Sequence, residues 1–278
     1  MNPFLRALPL ALATLLVWSS GAAAVTIFSA TGNDAADILA SVNVFRTALG
    51  NPNNANTPGP LAGGRREINW DGGGSSATSP GGTPFNVFLN RGIQLTTPGT
   101  GFFQAPASGL ASAAAFNNPT YATIFDTFSP VRLFVPVGSN ITEGHFSIPG
   151  SNGVTPAGVR GFGAVFTDVD LTGSTRIELL DFHGDAFFSA DVTPLPGDAT
   201  LSFLGLLTGA GEPQIAGVRI TSGNSALGPN DGAGIDVVAM DDFLFSEPRL
   251  IPQPAAAVLL SIGMIFAGAA AAGRVRRR

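Results

Sequence analysis

The chain has 278 residues, with 14 basic and 19 acidic side chains and no cysteine. Without cysteine there is neither a disulfide scaffold nor a thiol nucleophile. With the two apolar ends set aside, nine arginines face nineteen acids, a net charge near −10 that repels nucleic acid and suits divalent cations, neutral glycans or cationic partners.

Arg6 precedes an apolar stretch from Ala7 to Trp18, and Ala22-Ala23-Ala24 offers a small-residue cleavage site before Val25. That order predicts a signal peptide over residues 1–24, removed by signal peptidase. The exported body then runs over residues 25–248, a length that suits one all-β domain or two small ones.

One helix is expected near its start. Asn33 or Asp34 can cap it, Ile38, Leu39, Val42, Phe45 and Leu49 recur at helical spacing, and Gly50 stops it. Two loops follow, Asn51–Gly64 and Gly72–Gly82, each dense in residues that favour turns or disorder. Between them, Arg65-Arg66-Glu67-Ile68-Asn69-Trp70-Asp71 concentrates charge and one aromatic. Trp70 is either a sugar-stacking platform or a core aromatic with its N–H bonded. Glu67 and Asp71 suit a metal or an arginine.

From Phe85 onward the pattern is β. Val131–Val135, Ile141–Ile148, Gly161–Val169, Thr175–Phe182, Thr200–Leu206, Ile215–Thr221 and Ile235–Phe245 are strand-like runs separated by Gly, Pro, Asn and Asp. Leu179–Phe182, His183-Gly184 and Asp185–Phe188 read as a hairpin. Many short strands with 36 Gly and 21 Pro predict a mainly β, jelly-roll-like antiparallel β-sandwich.

Two acidic patterns stand out. Asp168-Val169-Asp170-Leu171-Thr172-Gly173 resembles the start of an EF-hand loop, but Leu179 stands where the bidentate Glu belongs. The two acids extend a strand's alternation, which places them on one face at a solvated edge or around Ca²⁺. Asp241 and Asp242 interrupt an apolar strand. Strict alternation sends them to opposite faces, and a buried carboxylate needs a hydrogen-bond donor, an arginine such as Arg65 or Arg66, or a cation. The Asp-Asp-hydrophobic end resembles the last strand of many carbohydrate-binding jelly rolls, which implies a structural Ca²⁺. Asp168, Asp170, Asp241 and Asp242 are therefore the candidate calcium ligands.

Catalytic signatures are scarce. There is no G-x-S-x-G elbow, and His145 and His183 form no H-E-x-x-H.

The chain closes on Pro252-Gln253-Pro254, an apolar run from Ala255 to Gly273, and Arg274, Arg276, Arg277 and Arg278. The run suits one membrane-spanning helix with its basic end in the cytoplasm. This order resembles the PEP-CTERM sorting tail, with Pro-Gln-Pro where that family has Pro-Glu-Pro, and it places the tail over residues 249–278. The resemblance implies sorting by an exosortase-like enzyme of a Gram-negative bacterium, from the inner membrane to the envelope, surface or extracellular matrix. Together these features predict a non-enzymatic structural or adhesive protein linked to exopolysaccharide. The alternatives are a calcium-stabilised glycan-binding module and, behind it, a polysaccharide hydrolase.

Overall fold

The structure, a computed structural model, describes residues 24–73, 78–107, 110–209 and 215–251. The signal peptide as far as residue 23 lies outside the described residues. So do the sorting motif Pro252, Gln253 and Pro254, the apolar run, and Arg276, Arg277 and Arg278.

The protein is mainly β, with two antiparallel sheets. Its strands are β1 (Val25–Gly32), β2 (Arg65–Ile68), β3 (Thr78–Gly81), β4 (Ile93–Thr96), β5 (Gly101–Pro106), β6 (Arg132–Val137), β7 (Ile141–Phe146), β8 (Gly161–Thr167), β9 (Arg176–Leu180), β10 (Ala186–Asp191), β11 (Leu201–Thr208), β12 (Gly217–Thr221) and β13 (Ala239–Ser246). The larger sheet runs β1-β11-β8-β13-β6-β5-β3, with β2 also paired to β13. The smaller runs β10-β9-β12-β7-β4.

Period-2 alternation explains how the sheets pack. From the larger sheet, Phe162, Ala164, Phe166, Leu204, Leu206, Phe243 and Phe245 meet Ile93, Phe146, Ile177, Leu179, Val218 and Ile220 from the smaller. The other face of β8, β11 and β13 is covered as well. Val165, Phe203 and Leu244 pack under helix α1 (Ala35–Leu49), which buries Ile38, Val42, Phe45 and Leu49. Gly163 and Gly205 make that seat possible, because a Cβ on either would lie within 2.8 Å of the Phe45 ring. Double coverage is why β8 reads as a continuous buried run and not as a half-buried strand.

Helix α1 begins where the sequence places it. Asp34 accepts from the Ala36 and Asp37 amides at 2.8 and 3.1 Å, and Gly50 closes the other end with φ +124°. A second helix, α2 (Leu110–Phe116), was not expected. With the following turn, where Tyr121 is buried, it covers the outer face of β5 and β6.

The loop Asn51–Gly64 is ordered, contrary to its composition. Arg66 and Glu247 form a two-point pair at 2.8 Å for both contacts, with side chains 0% and 1% exposed. Glu247 also accepts from Asn54 and from the Leu61 amide, and Arg66 donates to the Ala55 carbonyl, so one buried ion pair fixes the loop.

Strand register sets the direction of the molecule. At one end of the larger sheet Val25 lies opposite Thr208, and Arg160 bonds both Thr208 and Ser246. At the other end Gly32, Leu201, Thr167 and Ala239 form one row.

Candidate functional site

Three places gather polar side chains. The first is the acid pair of β13. The pairing of β13 with β8 slips by one residue between Met240 and Phe243, so Asp241 and Asp242 sit in a bulge. The expectation of opposite faces fails for that reason, and both carboxyls reach Ser129. Asp241 Oδ2 accepts from the Phe128 and Ser129 amides at 2.7 and 3.1 Å, and Asp242 Oδ1 accepts from Ser129 Oγ at 2.6 Å. Asp71 holds the residues after Pro130, accepting from the Val131 and Arg132 amides at 2.7 and 3.0 Å. Three aspartates thus fasten one segment, 128–132, at the entry to β6.

The arginine at this node is Arg46 from the last turn of α1, not Arg65 or Arg66. Its Nη2 donates to Glu67 Oε2 at 2.9 Å and to Asp242 Oδ2 at 3.3 Å, while Arg65 pairs with the other Glu67 oxygen. Burial pushes both aspartates up. Asp241 rises well above the ordinary range through burial and then the charge of Asp242, against the pull of the two amides. Burial raises Asp242 to about 6, with the Ser129 hydroxyl and Arg46 holding it down. An oxygen set engaged by N–H, O–H and guanidinium donors ties the loop in place.

Trp70 belongs to this node and to the core. It is 1% exposed, stacks on Phe134 with centroids 3.8 Å apart, meets Phe88 and Phe243 edge-on, and donates from Nε1 to the Asp241 carbonyl at 2.9 Å. No ring face remains for a sugar, which corrects the platform reading.

The second place is the end of β8. Asp168 adopts φ +68°, which ends the strand at Thr167 and breaks the alternation expected of Asp168 and Asp170. Asp168 is buried instead of lying at a solvated edge. Asp170 is half-buried and accepts from the Gly197 amide at 2.8 Å. Burial, then the charges of Asp170, Asp198, Asp236 and Asp231, push the Asp168 carboxyl up to about 8. Among the described residues no group of three or more acids or histidines surrounds a common metal position.

The third place was not anticipated. One row of outward residues crosses four strands of the smaller sheet, with Gln94 opposite His145, His145 opposite Gly217, and Gly217 opposite Leu180. Gly217 has no side chain, so the row has a floor at its centre. The β9–β10 turn forms one wall. Asp181 accepts there from the His183 and Asp185 amides at 2.8 and 3.1 Å. That turn presents Phe182, 55% exposed, against the His183 ring with centroids 3.9 Å apart. The result is a cleft of about 400 Å³ that holds both histidines of the chain, Gln94 and Phe182, with Ile251 at its rim. The hairpin is legible in the sequence. The meeting of its turn with His145 depends on the β7-β12-β9 order, which no local pattern carries.

No family model, no curated protein and no solved structure matches the chain. Among the described residues no helix is long and apolar enough to cross a membrane.

Proposed function

We propose that this is an exported protein of a Gram-negative cell envelope or extracellular matrix, with a structural or adhesive role and contact with exopolysaccharide. The observation that carries it is the pairing of a secretory leader with the tail of Pro252-Gln253-Pro254, apolar run and terminal arginines. The leader brings the body across the inner membrane. The tail would then hold it there until an exosortase-like enzyme processes it. We read the sandwich as jelly-roll-like and non-enzymatic.

The cleft on the smaller sheet supplies the contact surface. An exposed aromatic beside amide and imidazole groups suits a neutral glycan, since sugar C–H faces pack on rings while hydroxyls take hydrogen bonds. The acidic body disfavours an anionic one.

Two measurements test this. Deleting the host's exosortase should leave the chain unprocessed in the inner membrane, and unchanged size and location would sink the sorting claim. In affinity gels, neutral exopolysaccharide should retard the protein, and Phe182→Ala should abolish the retardation. Equal retardation of protein and variant would remove the cleft from the proposal.

A further inference from the structure

The end of β8 contains a buried acid with one oxygen, Asp168 Oδ1, that the fold leaves without a hydrogen-bond partner. Asp168 is 5% exposed, its Oδ1 has no hydrogen-bond partner, and it joins no ion pair among the described residues. A carboxylate in that state is costly in a low-dielectric interior. Protonation removes the charge but gives Oδ1 no partner.

Its neighbour Asp236 sharpens the point. Asp236 is 1% exposed and accepts from the Asp170 and Leu171 amides, both at 3.2 Å, and from the Ser174 hydroxyl. The same loop cluster therefore supplies donors to one buried aspartate and leaves Oδ1 of the other without one. The remaining charges that bear on Asp168, besides Asp170, are Asp198 and Asp231. Asp198 is exposed and Asp231 half-buried, with the Thr120 hydroxyl donating to it. All the side chains on offer are oxygen donors. With no histidine or cysteine among them, they select a hard cation over zinc or copper.

We infer that Asp168 anchors a site for a divalent cation of the calcium class, closed by Asp231 and Asp198 from the loops before β13 and β11. As described, the three carboxyls do not surround one point, so loading draws the exposed Asp198 and the half-buried Asp231 inward. Calcium tolerates such a site. It accepts irregular shells of six to eight oxygens that include waters and carbonyls. The site lies apart from the cleft and does not depend on the glycan reading.

The test uses the full chain in mild detergent, stripped with chelator and melted across separate calcium and magnesium titrations. Calcium should raise Tm saturably, by about 5 to 10 °C at roughly a hundredfold excess over Kd, and magnesium by less. Asp168→Asn should lose the calcium shift while melting in chelator no lower than the parent. If that variant does not fold, the double variant Asp198→Asn/Asp231→Asn, at less buried positions, should lose the shift instead. Terbium gives an independent readout: the chain's one tyrosine, Tyr121, follows Thr120, whose hydroxyl donates to Asp231, and should sensitise a bound ion that calcium then displaces. Absence of both a calcium shift and sensitised terbium emission in the parent overturns the site. So does a full calcium shift in the folded Asp168→Asn variant or, where that variant does not fold, in the double variant. A magnesium response equal to that of calcium overturns the calcium-class assignment.

Discussion

The two acid clusters look alike in the sequence and opposite in the structure. Asp241 and Asp242 are buried among donors: two amides, a hydroxyl and a guanidinium. Asp168 is nearly as buried and has no donor at its Oδ1, with only like charges around it. Burial alone therefore does not define a site. The inventory of donors matters too, and it separates an acid that fastens a loop from one left short of donors.

Substitutions should separate the two clusters. The largest effect is expected at the most fully satisfied acid. Glu247→Ala leaves Arg66 charged and buried, and should lower unfolding stability by about 3–5 kcal/mol in a denaturant titration. A loss under 1 kcal/mol would mean that water reaches Arg66. Next comes Asp241→Ala, which strands the Phe128 and Ser129 amides and should cost about 2–3 kcal/mol by the same titration. The contrast requires that Asp168→Asn in chelator cost nothing or stabilise. If both variants lose equally, the two clusters are of one kind.

Acidity gives a smaller and graded effect. Both folded-state values lie above the ordinary carboxylate value of 3.8, so each contribution is complete below that value and is lost as pH rises, for Asp242 through about 6 and for Asp168 through about 8. In chelator, Tm should therefore fall between roughly pH 4 and 8. Asp168→Asn should make that fall shallower throughout and most clearly above about pH 6, while Asp242 and the likewise raised Asp241 keep their shares. A profile unchanged by the variant would place the titration elsewhere. The smallest effect on stability is expected at Phe182→Ala. Its ring is largely solvated, so Tm should hold within about a degree while glycan retardation is lost.

Much of the fold was legible, for identifiable reasons. Asp34, the 3.6-residue spacing of Ile38, Val42, Phe45 and Leu49, and Gly50 are local signals, and local signals survive in the sequence. The seven-residue α2 is too short for periodicity to register, and β1 begins where the leader's apolar stretch has just ended. For the sites, the sequence marks which acids are out of place but not how each is resolved. The bulge that turns Asp241 and Asp242 to one side is a property of the pairing with β8. Their partner Ser129 lies more than a hundred residues away in the chain. The lone histidines gave no motif at all, because the cleft that joins them exists only through strand order.

The register of the larger sheet gives the molecule two poles. Val25 and Ser246 leave from one end, and Thr167, just before Asp168, sits at the other, about 20 Å away along a seven-residue strand. If the segment after residue 251 tethers the body to a membrane, as proposed above, that first pole faces the membrane. Ile251 then sets the cleft beside the tether, while the Asp168 loops form the outermost tip. Cutting the tail would change the surroundings of the cleft and leave those of the tip as they were. Under that proposal, one strand direction would give the two surfaces different moments of exposure.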